Sequence, residues 1–143
     1  MSFRLGSMPV DQSLVGRAFP PTSRRPVTRD EVTAFASAIG GAAEDPADDT
    51  VPPTYPIVLA FDAMNAFLAA EQIDLFRIIH GEQRFAYERP IRIGDVLTAT
   101  LTVASLRQIG GADIIGTTSA IHDADGALVC TAKATLVHTG VPA

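Results

Sequence analysis

Residues Val51–Leu97 read VPPTYPIVLAFDAMNAFLAAEQIDLFRIIHGEQRFAYERPIRIGDVL, and the order of patterns in this stretch decides the fold. Thr54 offers an N-cap, and Pro56 is tolerable in a first helical turn because the N–H it lacks would have no intrahelical partner there. From Ile57 to Ala70 the chain is apolar almost all round, with Val58, Phe61, Met64, Phe67 and Leu68 spread over more than one face. That pattern predicts a helix buried on several sides. After the polar break Glu71–Asp74 the period changes to two. Gln83, Phe85 and Tyr87 face one way and Arg84, Ala86 and Glu88 the other, which describes a half-buried strand closed by Arg89-Pro90.

Downstream, Gly94-Asp95 turns the chain, and Leu97, Ala99, Leu101 and Val103 alternate with Thr98, Thr100 and Thr102 in the clearest strand of all. A third strand is predicted after Gly110-Gly111, from about Asp113 to His122. A fourth follows the turn Asp123-Ala124-Asp125-Gly126, with Val129, Thr131, Lys133, Thr135 and Val137 alternating against Leu128, Cys130, Ala132, Ala134 and Leu136. Upstream, Thr28-Arg29-Asp30-Glu31 fits a capping box in which Glu31 reaches back to the cap. The helix it starts has apolar positions Val32, Phe35, Ala36 and Ile39, and Gly40-Gly41 stops it.

A long antiparallel meander after one apolar helix hides both apolar surfaces if the sheet curls around the helix. The expected fold is therefore α+β, a single hot-dog domain over residues 11–139, with a flexible N-terminus at 1–10 and a short tail at 140–143. Such an open sheet leaves an edge strand exposed, and pairing two edges across a two-fold axis removes that liability, so a dimer, homomeric or with a related chain, is expected.

Composition narrows the function. The 143 residues are 47% apolar and carry a net charge of -5, with 11 Lys+Arg against 16 Asp+Glu and 6% aromatics. No basic face and few stacking platforms argue against nucleic acid. The longest apolar stretch, Pro56–Ala70, holds Asp62 and Asn65 and is too short to span a bilayer, so no membrane association is expected. The start MSFRLGSMPVDQSLVG has no signal-peptide core, which makes the cytoplasm the expected location. The lone Cys130 lies in an alternating apolar run with no basic neighbour and reads as a core thiol.

Four segments taken together carry a resemblance: Asp11-Gln12-Ser13-Leu14-Val15-Gly16, Pro52-Pro53-Thr54-Tyr55-Pro56, His80-Gly81-Glu82-Gln83-Arg84-Phe85-Ala86-Tyr87 and Arg89-Pro90-Ile91-Arg92-Ile93-Gly94-Asp95. The chain from Asp11 to Thr139 resembles the MaoC-like dehydratases. Within them it is most similar to the N-terminal-type, FAS1-like dehydratase domain of the A- and C-type subunits of the mycobacterial (3R)-hydroxyacyl-carrier-protein dehydratase. The resemblance implies hydration of a trans-2-enoyl thioester, or the reverse dehydration, on an acyl-CoA or acyl-carrier-protein substrate and with no cofactor. It also implies an aspartate and a histidine in a G-D-x-N-P-x-H box before the central helix, and backbone N–H groups near the helix start that hold the thioester oxygen.

Aligned on Pro46, the aspartate position of that box is Ala43, the asparagine position Asp45 and the histidine position Asp48. Both catalytic side chains are absent. Asp48 is a base only if a dry pocket raises its pKa, and acids crowded with Glu44 in a polar loop are expected to stay ionised. The segment Asp49-Thr50-Val51 before Pro52-Pro53 is also shorter than the family's overhanging segment, which helps wall the acyl tunnel. The expectation is an accessory or degenerate subunit whose partner, an Asp/His-bearing MaoC-like paralogue, supplies the chemistry. The alternatives are a homodimeric hydratase or hot-dog thioesterase using Asp48 or Glu82, and a non-catalytic acyl-CoA or fatty-acid binding protein.

Thr54, Tyr55, Phe61, Met64, Phe67 and His80 are the candidate substrate contacts, and Asp48, His80 and Glu82 the weak catalytic candidates. For His80 a structural hydrogen-bonding role is the commoner reading. His122 and His138 fall at strand ends and share no ligand spacing with it, so no metal site is expected. Asp123–Gly126 resembles a calcium-loop fragment, but a hairpin turn explains it.

Overall fold

The structure is a computed structural model that describes residues 10–40 and 50–139. The box positions Ala43, Asp45 and Asp48, the first nine residues and the tail at 140–143 lie outside the described residues. Two helices, α1 (Arg29–Ala38) and α2 (Ile57–Ala70), accompany strands β1 (Arg25–Pro26), β2 (Ile78–Tyr87), β3 (Val96–Ile109), β4 (Ala112–His122) and β5 (Leu128–Thr139). The strands form one antiparallel sheet in the order β1-β3-β4-β5-β2, curled around α2. The expected α+β hot-dog fold is what the chain adopts.

The clear alternation of β3 does what its sequence predicts: Leu97, Ala99, Leu101 and Val103 are buried and face α2. A bulge between Val103 and Ser105 resets the period, so Leu106 returns to the inner face. From β5, Cys130, Ala132 and Leu136 join them. Burial pushes the Cys130 thiol up to about 11, which keeps it protonated and inert at neutral pH, as expected of a core thiol.

α2 departs from expectation. Leu59, Ala60, Ala63, Met64, Phe67 and Leu68 are buried, a single stripe at spacings of one and three, while Phe61, Asn65, Ala66, Ala69 and Ala70 remain exposed. The described chain covers one face of the helix, not several. Asp62 is explained by tertiary structure, because both its carboxyl oxygens accept from Arg25 of β1, at 2.8 and 3.0 Å. Thr54 does not cap the helix. The preceding residues form turns, Pro56 occupies the cap position, and no side chain caps the first turn.

At α1 the threonine cap is present, the Thr28 hydroxyl accepting from the Glu31 N–H at 3.2 Å. The Glu31 carboxylate, however, turns to the Tyr55 hydroxyl and to Arg25 rather than back to the cap. Gly40, at φ +84°, ends the helix as predicted, and Ile39 just before it is exposed. Of the apolar face only Val32 and Ala36 are buried, with Phe35 packed edge-on against Tyr55.

The two edges of the sheet are treated differently. Along β3, backbone bonds from Gly16 to Val103, Phe19 to Leu101 and Thr22 to Ala99 lay the N-terminal segment on the strand. On the other side β2 pairs only with β5 among the described residues. The predicted strand at 83–88 extends back to Ile78, since a 3-10 turn at Leu75–Arg77, capped by Asp74, delivers the apolar pair Ile78-Ile79 straight into pairing.

At the far end of β4 and β5 is a buried polar cluster that the sequence pattern gave no sign of. Asp113 Oδ2 accepts from the Val10 N–H at 3.0 Å and from His138 Nδ1 at 2.9 Å, and Oδ1 accepts from Gln108 Nε2 at 2.9 Å. Among the described residues His138 Nε2 has no hydrogen-bond partner. Truncating Asp113 to Ala would strand two buried donors, the Val10 N–H and His138 Nδ1, while the exposed Gln108 keeps its bond to the Val10 C=O. Its expected cost is about 3 kcal/mol in urea unfolding, and a loss below about 1 kcal/mol would show that the cluster relaxes instead.

The end of α2 offers an opposite test. Ile73 N–H bonds to Leu68 C=O at 2.8 Å and Gln72 N–H to Ala69 C=O at 3.2 Å, a helix stop that places Gln72 at φ +57°. Glycine adopts that conformation without a Cβ penalty. Gln72→Gly should therefore stabilise the chain by about 1 kcal/mol, read as a Tm rise of about 2–4 °C.

Candidate functional site

The open side of α2 meets β2, and the local structure of β2 is what gathers the polar groups there. Residues three apart in a regular strand point to opposite faces. Here the register shifts between His80 and Glu82, leaving Gly81 as an extra residue, so His80 pairs with Leu136 and Gln83 with Ala134, both on the inner face. Glu82 is turned to the outer face, opposite Thr135, where it pairs with Arg84. That corrects the expectation of Glu82 as a base at the site: it points away from the helix and its charge is neutralised by an exposed arginine.

His80 Nε2 lies 2.9 Å from Gln83 Oε1, and the His80 ring lies 5.7 Å from the Phe61 ring on α2. Gln83 Nε2 donates to the carbonyls of Lys133 and Arg84, at 3.1 and 3.3 Å. His80, Phe61 and Met64 stand between two spaces. Inside, under α2, a cavity of only ≈ 10 Å³ is bounded by Leu101, Thr117, Ser119, Ala132 and Leu136, room for about one water. Outside, a cleft of ≈ 250 Å³ is lined by Phe61, Met64, Asn65, Leu75, Ile78 and His80.

Thr117 and Ser119 are buried hydroxyl residues beneath the helix. Sequence reading passed over them because β4 alternates small polar residues on both faces, which leaves its inner face unmarked. Of the expected substrate contacts, Phe61, Met64 and His80 are brought together. Tyr55 and Phe67 are not; they are buried core residues, Phe67 edge-on to Phe19 at 5.0 Å and Tyr55 bonded to Glu31. Burial, and then the Glu31 carboxylate, push the Tyr55 hydroxyl above its ordinary value. Thr54 is exposed in the turn before α2.

At the helix start most N–H groups are already bonded, that of Leu59 being the exception among the described residues. Ile57 N–H bonds to Thr54 C=O at 3.1 Å, Val58 N–H to Tyr55 C=O at 3.0 Å and Ala60 N–H to Pro56 C=O at 3.0 Å, while Pro56 has no N–H. Beside it a wider groove of ≈ 400 Å³ is lined by Val51, Pro53, Tyr87, Glu88, Arg89, Pro90 and Ile91. Tyr87 donates to Pro53 C=O at 2.6 Å, and burial pushes its hydroxyl up to about 12.

Arg89 at this groove ties two turns, donating to Asp95 at 2.8 and 3.1 Å and to Asp123 at 3.2 Å. Asp123 also accepts from the N–H groups of Asp125 and Ala127, so the turn reading of this segment, rather than the calcium-loop one, is the observed geometry. Burial alone would raise the Asp95 carboxyl, but Arg89 and the Arg92 N–H outweigh it and hold it low. The Ala127 N–H and Arg89 do the same for Asp123. A carboxyl held low contributes stability that is complete above its ordinary value and is lost as pH falls through the folded value. Arg89→Gln should thus lower Tm at neutral pH and flatten its decline below about pH 4, and parallel Tm–pH curves for the two proteins would contradict this.

A curled antiparallel sheet around one helix is the hot-dog class, and comparison with known proteins narrows it. The family profile described as the FAS1-like, dehydratase domain region matches residues 13–132. The chain belongs to that family. A "UPF0336 protein" of Streptomyces avermitilis is 38% identical over 143 residues, covering 91% of this chain and 95% of its own. One from Clavibacter michiganensis is 40% identical over 146 residues, covering 93% and 98%. Among solved structures, the C-terminally truncated HadBC (3R-hydroxyacyl-ACP dehydratase) complex of Mycobacterium tuberculosis superposes with a TM-score of 0.72 at 26% identity, covering 91% of this chain and 99% of that one. A MaoC-like dehydratase superposes at 0.77 with 21% identity, covering 91% of this chain and 43% of that one, a likeness of fold.

Proposed function

We propose that this chain is the non-catalytic subunit of a (3R)-hydroxyacyl-thioester dehydratase or enoyl hydratase, shaping the acyl-thioester site while an Asp/His-bearing MaoC-like partner moves the protons. The observation that carries the reading is the start of α2. In the chemistry implied by the family resemblance, N–H groups there hold the thioester oxygen as negative charge develops on it. In this chain those of Ile57, Val58 and Ala60 are already bonded to the carbonyls of Thr54, Tyr55 and Pro56, which leaves Leu59 alone with an N–H that has no backbone acceptor among the described residues. The sequence supports the same conclusion, with Ala43 and Asp48 at the two acid–base positions.

A partner also fits the surface. Among the described residues β2 has one unpaired edge, and Phe76, Leu75, Ile79 and Phe61 beside it are 95%, 49%, 61% and 42% exposed. Together they form an apolar margin of the kind that a second hot-dog subunit covers. The chemistry asks for no cofactor beyond the thioester carrier. Among the described residues no helix is long and apolar enough to cross a membrane.

The test is co-expression with an Asp/His-bearing MaoC-like protein from the same organism, followed by crotonyl-CoA hydration by the pair and by each chain alone. The expected result is co-purification, with this chain alone at least about 100-fold slower than the pair, the contribution of a general acid–base group. Equal rates for this chain alone and for the pair would overturn the reading.

A further inference from the structure

The His80–Gln83 pair carries a consequence for ligand recognition that follows from hydrogen-bond chemistry alone. The end of Gln83 that meets the Lys133 and Arg84 carbonyls has to be its NH₂ group, because two acceptors demand a donor. Its oxygen therefore faces His80, and His80 Nε2 has to donate to it. A neutral His80 is in this way held as the Nε2–H tautomer, with Nδ1 an acceptor only. No hydrogen bond to Nδ1 exists among the described residues, and the ring lines the outer cleft of ≈ 250 Å³.

The rest of that cleft is uncharged: Phe61, Met64, Leu75 and Ile78 are apolar, and Asn65 adds an amide. A neutral imidazole acceptor on an exposed residue that lines an uncharged, largely apolar cleft disfavours carboxylates and phosphates and selects a neutral N–H or O–H donor on an otherwise apolar chain. We propose that His80 Nδ1 is a binding group for such a donor on the acyl thioester, with Gln83 as the residue that positions it. This rests on the acyl-thioester reading above and assigns a ligand contact to it. Two parts of the ligand have that chemistry, the secondary amides of the carrier arm and the hydroxyl of a 3-hydroxyacyl group.

The test uses the full chain labelled with ¹⁵N-histidine, at about pH 8, above the range in which histidines ordinarily titrate. Long-range ¹H–¹⁵N correlation spectra read the tautomer directly, with His80→Phe assigning the signals. The free protein should show His80 with the proton on Nε2, and Gln83→Leu should return the ring to a tautomer mixture. Adding butyryl-CoA or 3-hydroxybutyryl-CoA should move the Nδ1 resonance. A shift with both assigns the carrier amide as donor, and a shift with the hydroxyacyl form alone assigns the hydroxyl.

His80→Phe keeps a ring against Phe61 but removes the acceptor, so thioester affinity should fall roughly tenfold, within the range of one hydrogen bond. His80→Asn, whose side-chain oxygen lies near the Nδ1 position, should recover part of it. Thioester binding with an unmoved Nδ1 signal and unchanged affinity in His80→Phe would overturn this proposal and leave the function standing. Failure of either thioester to bind at millimolar concentration would overturn both.

Discussion

The buried stripe of α2 against the inner faces of β3, β4 and β5 is the contact on which the rest of the molecule depends. Leu59, Ala63, Met64 and Phe67 meet Leu97, Leu101, Ile115 and Leu136 in one core, and every peripheral element is recruited to close it. Apolar burial stabilises at roughly 25 cal/mol per Å², so a largely apolar helix favours whichever arrangement covers most of its apolar surface. Phe19, Val27, Val32 and Ile73 from the surrounding segments complete the same cluster. Among the described residues coverage is incomplete, and the uncovered strip of the helix lies beside the uncovered edge of β2.

That coincidence gives the candidate site its character. The cleft lies where helix and edge strand are both left open, so a ligand or second chain arriving there meets Phe61, Met64 and His80 together. The interior behind them is nearly filled, which leaves the polar floor of Thr117 and Ser119 out of a ligand's reach in this conformation. Polarity in the cleft is confined to His80 and Asn65, a pattern suited to fixing the orientation of a largely apolar ligand.

Much of the fold was legible because the strands of this chain alternate cleanly and its helices carry their own stops. The alternation of Leu97 to Val103 and the Thr28 cap are local signals, and both were realised. The site was legible only in part. Phe61, Met64 and His80 were identified from composition and resemblance, but so were Tyr55, Phe67 and Glu82, which the fold sends elsewhere. His80 and Glu82 were separated by register, since one extra residue at Gly81 reversed the facing of everything before it in β2, and no periodicity rule reveals which residue of an edge strand will bulge; Tyr55 and Phe67 were separated by core packing. The Asp113–His138 pair was hidden for a related reason, since 25 positions of sequence separate the carboxylate from the imidazole bonded to it.

The sequence by itself determined the element types, their order and the largely apolar central helix. These are properties of single residues and of short-range periodicity, which local backbone geometry reads directly. Only the tertiary structure decided which face of α2 is covered, that the N–H groups of Ile57, Val58 and Ala60 are occupied, and that His80 meets Gln83 through Nε2. Those depend on bulges, on packing and on the partners of each polar atom, all set by contacts between segments far apart in the chain.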